Sequence, residues 1–302
     1  MQRHINTILL LTGIVAIVVM MLAFKVSITA LFEFIQMAGY WFMAVVLLWG
    51  VLYGMSTLAL RTIIRSSGSC PVGFWRTWKN VVSGFTLRGI DGHHNCIKEL
   101  SRYIGVERAT SSVRSFAMAH AFSYFWFWIT GIMVYVCLDV VGLFPFPAVM
   151  RWLTALASLL CIGGIWFFIR SNRFRKACKA IRNRRAFLQS LLIEYFGRIL
   201  QSFEVFFILM FLGFGADPSS VGNYLFVFIF AFLILVPTSL FANLLGFIPF
   251  QLGSREGGFI LSVAAFGMTA ELGLFIGIFS RMRDIIWTAI GLLMTRLFNH
   301  NE

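Results

Sequence analysis

An arginine and a glutamate stand side by side at 255 and 256, within FIPFQLGSREGGF (residues 247–259), and apolar runs flank them on both sides. A guanidinium offers a planar fork of donors that suits a phosphate or a carboxylate. The carboxylate of Glu256 can neutralise Arg255 while a site is empty, or take up a proton or a cation. Gly253, Gly257 and Gly258 let another backbone or a headgroup come close. Pro249 and the glycines stop a continuous helix, and the short helix that opens near Gly257 would turn its positive dipole end toward an anion. Together these residues suit capture of the anionic head of an amphiphile. The same pair, ringed by glycines, also suits an ordinary solvated turn, and the residues alone leave both readings open.

A second stretch has similar chemistry. TLRGIDGHHNCIKEL (residues 86–100) carries Arg88, Asp91, His93 and His94. With Gly92 laid on Gly253, His94 falls on Arg255, Asn95 on Glu256 and His120 on Arg281, while Gly105 misses Gly267 by one position. This is a weak internal repeat. Adjacent histidines can ligate a metal, but no further ligand cluster joins them, so no metal site is expected. Cys70, Cys96, Cys137, Cys161 and Cys178 form no C-x-x-C pair and read as small apolar filler. His120, inside an apolar run, suits hydrogen-bonded packing or a proton relay. Glu204 and Gln201 lie in or beside the run 199–214. A carboxylate there must be paired, protonated or near the membrane surface, and surface placement is expected. Arg198, six residues earlier, is less well placed than an i,i+4 partner.

The elements that hold these residues follow from composition. The chain has 302 residues, 59% hydrophobic and 12% charged, with 34 phenylalanines. No soluble domain of this size hides so much apolar surface. Runs of about 20 apolar residues cross a bilayer as helices. They are expected at 5–24, 38–60, 116–138, 152–169, 199–214 and 224–243, followed by short segments at 259–266 and 272–279 and a last helix at 285–298. Residues 5–24 read as a first membrane helix rather than a signal peptide, since no A-x-A-like cleavage site follows. The expected fold is all-α, a polytopic membrane helix bundle forming one domain over residues 1–302. Its two glycine-interrupted segments, at 84–105 and 246–267, are expected to be re-entrant.

The net charge of +13 resides in short loops. The loops after the runs 38–60 and 152–169 carry Arg61, Arg65, Arg76, Lys79 and the basic stretch RSNRFRKACKAIRNRR (170–185), whereas DVVGLFPFPAVM (139–150) and GADPSS (215–220) contain no Lys or Arg. The positive-inside rule then places the N-terminus and the basic loops in the cytoplasm. Trp75 and Trp78, beside Arg76 and Lys79, read as an anchor at the membrane surface. No nucleic-acid motif accompanies the charge, and no nucleic-acid partner is expected. No G-x-x-x-x-G-K-[ST] occurs, so no nucleotide or other cofactor is expected.

The stretch LFANLLGFIPFQLGSREGGFILSVAAFGMTAELGLFIGIFSRMRDIIWTAIGLLM (240–294) resembles the C-terminal signature of the lysylphosphatidylglycerol synthase transmembrane region, the flippase-like domain family. The matching features are Pro249, Gly253-Ser254-Arg255-Glu256-Gly257, Gly267 and Arg281, and GVERATSSVRSFAMAHAFSYFWFW (105–128) is similar to the family's middle helix. The likeness covers nearly the whole chain. It departs in the first half, where the family carries Thr-Pro and then Gly-Gly-Glu. Leu87 stands where the proline is expected, and His93 and His94 stand near the Gly-Glu positions. Either this half is inactive, or Asp91 or the histidine pair replaces the glutamate, histidine being able to change charge near neutral pH.

The resemblance implies lipid handling: movement of an anionic or polyprenyl-type lipid between the leaflets of a bacterial inner membrane, without lysyl transfer, by a chain that is not an enzyme. Membrane lipids are the implied partners. The substrate-binding residues it implies are Gly253, Arg255, Glu256, Gly257 and Arg281, faced by His120, Arg88, Asp91, His93 and His94. Two other classes stay open. One is a membrane enzyme acting on lipid headgroups, for which only Asp91, His93 and His94 could serve. The other is a non-transporting scaffold for a lipid-synthesising or glycosyltransferase partner.

Overall fold

The computed structural model describes residues 28–69, 71–86, 92–142, 170, 181, 183–214, 221–245, 251 and 253–299. Among these residues the elements are all α-helices: α1 (Ile28–Ser66), α2 (Phe74–Thr86), α3 (Gly92–Ile104), α4 (Val106–Val141), α5 (Arg184–Phe211), α6 (Val221–Leu244), α7 (Ser254–Ala265) and α8 (Ala270–Asn299). Three segments are long and apolar enough to cross a bilayer, Gly39–Ser66 in α1, Val106–Val141, and Gly222–Leu244 in α6. They contain the expected runs 116–138 and 224–243, and all but the first residue of 38–60. The protein is an all-α membrane helix bundle. The expected runs 5–24 and 152–169 lie outside the described residues.

Two expectations about the runs change. The run 199–214 is not a separate element: its first thirteen residues are the C-terminal end of the 28-residue helix α5, which starts at Arg184. Toward the C-terminus, the segments 272–279 and 285–298 fuse into the single 30-residue helix α8. Between them the chain reads Ser280-Arg281-Met282-Arg283-Asp284, with no glycine or proline to break a helix. The arginines of this stretch are accommodated by glutamate partners.

Real breaks occur at glycines. Gly39 kinks α1 with φ 42°. The short helix α3 runs into Gly105 at φ 82°, and the short helix α7 is followed by Gly267 at φ 78°. Each left-handed glycine leads into a long helix, α4 or α8, a conformation that other residues adopt only under strain. The two broken segments therefore share one local plan of short helix, left-handed glycine and long helix.

The chain divides into two compact units. The first gathers the described residues within Met1–Leu48, Met133–Arg151 and Gln201–Arg283, the second those within Trp49–Ile132, Trp152–Leu200 and Asp284–Glu302. In the first unit, backbone contact without intervening side chains holds α6, α7 and α8 together. A Cβ on Gly258 would lie 3.1 Å from the Thr238 carbonyl oxygen, and one on Gly273 only 2.6 Å from the Ile260 Cα. Gly273 and Gly277 form a G-x-x-x-G pair, the spacing that lets membrane helices approach closely. Pro237 stands within α6, beside Thr238, whose hydroxyl bonds the Ile234 carbonyl at 2.8 Å and the Ser262 hydroxyl of α7 at 3.0 Å.

In the second unit, aromatic rings and two arginines tie the helices. Trp287 packs edge-on to Tyr53 at 5.0 Å and to Trp78 at 6.0 Å. Trp75 stays 71% exposed, as suits a side chain at a membrane surface. Arg61 donates to the Val72 carbonyl at 2.8 Å, and Arg108 donates to the Ile64 carbonyl at 2.9 Å, the Ser69 carbonyl at 2.7 Å and the Ser67 hydroxyl at 2.8 Å. Arg108 thus ties the C-terminal end of α1, at the Ile64 carbonyl, to the turn that follows it. On α3, burial and then the charge of Glu99 push the Cys96 thiol up to about 12, which keeps it protonated.

Candidate functional site

The start of α7 is built by Gly253, Ser254 and Glu256. Gly253 takes the N-cap position at φ 78°, and its N–H donates to the Glu256 Oε2 at 2.9 Å. The carboxylate thereby satisfies a donor that the first turn cannot. Glu256 is fully buried and forms an ion pair with Arg281 of α8 through Oε1, with a second contact from Arg281 Nη2 to Oε2 at 3.3 Å. The same Nη2 donates to the carbonyl of Gln251 at 2.6 Å, a residue held at φ 55°. Arg281 therefore clamps both ends of the turn that precedes α7. Gly277 passes over Glu256 so closely that a Cβ there would meet the Glu256 Cα at 3.1 Å.

Arg255 reaches a different carboxylate, while Glu256 turns to Arg281. Consecutive helical residues point about 100° apart, a consequence of 3.6 residues per turn. Arg255 reaches Glu204 of α5 at 3.7 Å and lies 5.9 Å from the centre of the Phe259 ring. Glu204 also pairs with Arg283 and accepts a hydrogen bond from the Ser280 hydroxyl at 2.6 Å. Glu204 and Arg283 are both fully buried, so the expected placement of Glu204 at the membrane surface gives way to pairing inside the protein. Arg281 and Arg283, two apart on α8, point to different sides and serve the two different glutamates. The unit thus holds three arginines linked to two glutamates around the start of α7. Gly257 lies in the same turn, with room for a Cβ 3.6 Å from the Phe241 ring.

His120 belongs to the second unit and meets two charged side chains of α5. Glu194 Oε2 lies 2.6 Å from its Nδ1, and Arg198 Nη2 lies 2.7 Å from its Nε2. One assignment satisfies both contacts: Nδ1–H donates to the carboxylate and Nε2 accepts from the guanidinium. Arg198 also pairs with Glu194 one turn away at 3.7 Å and stacks over the Tyr124 ring at 3.8 Å. All three ionisable side chains are buried. Within the second unit His120, Glu194 and Arg198 thus form a buried cluster of their own.

Of the remaining expected residues, Arg88 and Asp91 lie outside the described residues. His93 and His94 stand in the first turn of α3. Among the described residues, no three His, Cys, Asp or Glu side chains group as metal ligands would. Glu194 and Arg283 escaped the reading of the sequence. A signal for the first existed: Glu194, Arg198 and Gln201 follow i, i+4, i+7 spacing and so form one stripe on α5. Arg283 gave none beyond its charge in an apolar run.

No protein-family model, curated protein or solved structure matches this chain. The fold and site define its class: an all-α membrane helix bundle with a buried arginine–glutamate cluster in each of its two units.

Proposed function

We propose that the protein moves a lipid with an anionic or polyprenyl-type head between the leaflets of a bacterial inner membrane, as the resemblance to the flippase-like family implies. The observation that carries this reading is the network around the start of α7, where Arg255, Arg281 and Arg283 share Glu204 and Glu256. Charges enclosed among membrane helices are expensive, and those that persist commonly serve a transported group. Each guanidinium is held by a carboxylate, an arrangement that keeps the positive charge compensated until an anionic headgroup competes for it. Backbone packing at Gly258, Gly273 and Gly277 fixes the helices that present these groups.

The test is leaflet exchange. The purified protein is reconstituted into phosphatidylglycerol-containing vesicles with a trace of fluorescent phosphatidylglycerol, and the fraction quenched by dithionite is followed over time. Loss of the protected inner-leaflet pool in protein-containing vesicles, but not in protein-free ones, is the expected result. Quenching that stays at the protein-free level with phosphatidylglycerol and with a polyprenyl phosphate probe would sink the reading and favour the scaffold.

A further inference from the structure

A cavity of about 530 Å³ opens in the second unit where α1 ends and α4 and α5 begin. Its volume falls in the range of about 300–1,000 Å³ typical of small-molecule sites. The wall is unusual for a membrane protein, because five serines line it: Ser66, Ser67, Ser111, Ser112 and Ser115. Ser112 is only 3% exposed and makes no hydrogen bond among the described residues, so a nearly buried hydroxyl at the wall is open to a ligand. Buried hydroxyl groups ordinarily find a partner.

The backbone adds donors on the same wall. The left-handed Gly105 ends α3 and starts α4, and both Gly105 and the first residues of α4 border the cavity. The first bond within this turn runs from the Ala109 N–H to the Gly105 carbonyl at 3.0 Å. The N–H groups of residues 106–108 precede it and have no partner further back within α4. They point the positive end of a 36-residue helix toward the cavity. Arg108 stands in the wall, oriented by its bonds to the end of α1. Glu107 also borders the cavity, but its side chain is exposed and its charge is screened by water. Asn183 borders it too and caps α5, its Oδ1 accepting from the N–H of Arg185 at 3.0 Å and of Ala186 at 3.3 Å. Asn183 lies within the basic stretch 170–185, which holds eight Lys and Arg and no acidic residue.

We infer that this cavity is a binding site for a phosphate-type anion, held by the α4 N-terminal amides, the serine hydroxyls and Arg108. It is separate from the cluster around α7 and does not rest on the translocation reading. The phosphate has two possible sources, a phospholipid headgroup or a free phosphate, with the same chemistry.

Hydrogen–deuterium exchange on the full chain in a maltoside detergent, which carries no phosphate, tests this. The amides of residues 106–108 are read with inorganic phosphate, with phosphatidylglycerol in mixed micelles and with diacylglycerol as the phosphate-free control. Slower exchange with inorganic phosphate supports the site and assigns it to a free anion. Slower exchange with phosphatidylglycerol alone supports it and assigns it to a headgroup. Ser111→Asp places a carboxylate on the half-buried part of the wall and is expected to weaken the apparent affinity about tenfold or more. Ser112→Val keeps the shape and is expected to weaken it by a few-fold, about the loss of one hydrogen bond. Exchange in the rest of α4 reports whether each variant is folded, and Ser111→Asp carries the test if Ser112→Val is not. No slowing with either phosphate probe, equal slowing with diacylglycerol, or wild-type slowing in a folded Ser111→Asp variant would overturn the inference.

Discussion

Glu256 has two tasks that a neutral isostere cannot share equally. It accepts the Gly253 N–H at the start of α7 and compensates Arg281 across to α8. Glu256→Gln keeps an oxygen for the first task and drops the charge needed for the second. An arginine is then left uncompensated in a mostly buried place, and removing one partner of such a pair costs about 3–5 kcal/mol. A fall in thermal unfolding temperature of the detergent-solubilised protein is the expected outcome. Arg255 is different. It lies 3.7 Å from Glu204, a carboxylate that also holds Arg283. Arg255→Lys keeps the charge and loses the planar fork, so stability is expected to change by no more than about 1 kcal/mol while leaflet exchange falls well below wild type. Equal exchange in wild type and Arg255→Lys would show that the fork captures nothing. Cys96 gives a simpler check at the same scale. With its thiol pushed up to about 12 by burial and by Glu99, it should resist maleimide at pH 8 in the folded protein and react once the protein is unfolded. Mass spectrometry of the peptide spanning α3 reads this directly.

At the scale of elements, glycine has two opposite meanings in this protein. Gly273 sits where a Cβ would lie 2.6 Å from the Ile260 Cα, a backbone atom that cannot swing aside, whereas Gly54, in α1, has no atom within 4 Å of its would-be Cβ. Gly273→Ala is therefore expected to force α7 and α8 apart and destabilise by about 1–3 kcal/mol. Gly54→Ala should stabilise by up to about 1 kcal/mol through helix propensity and a less flexible unfolded chain. Thermal unfolding of both variants checks the pair of opposite signs. The same contrast explains what the sequence revealed. Long apolar runs specify helices locally, so 116–138 and 224–243 fall inside α4 and α6. Left-handed turns favour glycine, and Gly105 and Gly267 marked real breaks. Pairing between charges is not local. Glu204 could not be joined to Arg283 from spacing, because the two stand 79 positions apart and meet only when α5 and α8 pack. Nor could the continuity of α8 be read from its arginines, since a buried arginine inside a helix and an exposed one at a helix end look alike until the partner is known.

At the scale of the whole molecule, orientation is set by where the charge lies. The basic stretch 170–185 holds eight Lys and Arg, and the stretches 139–150 and 215–220 hold none. Moving cationic loops across a bilayer against the membrane potential is unfavourable, and on that ground we propose that the basic stretch lies on the cytoplasmic side. Among the described residues, the helix α5 (Arg184–Phe211) runs from the end of the basic stretch toward 215–220. Arg184 and Arg185 end the basic stretch as exposed side chains at the start of α5, so a cysteine placed there is accessible to a reagent on its own side. In a background with the five native cysteines replaced, Ser219→Cys is expected to react with a membrane-impermeant maleimide in intact spheroplasts. Arg184→Cys is expected to react only after the membrane is opened. Labelling of Arg184→Cys in intact spheroplasts together with protection of Ser219→Cys would reverse the orientation. Labelling of both in intact cells would mean that the two loops share one side and that the number of crossings between them is even. Protection of Arg184→Cys in intact spheroplasts would carry further weight, because the serine-lined cavity that Asn183 borders would then face cytoplasmic phosphate and the cytoplasmic leaflet.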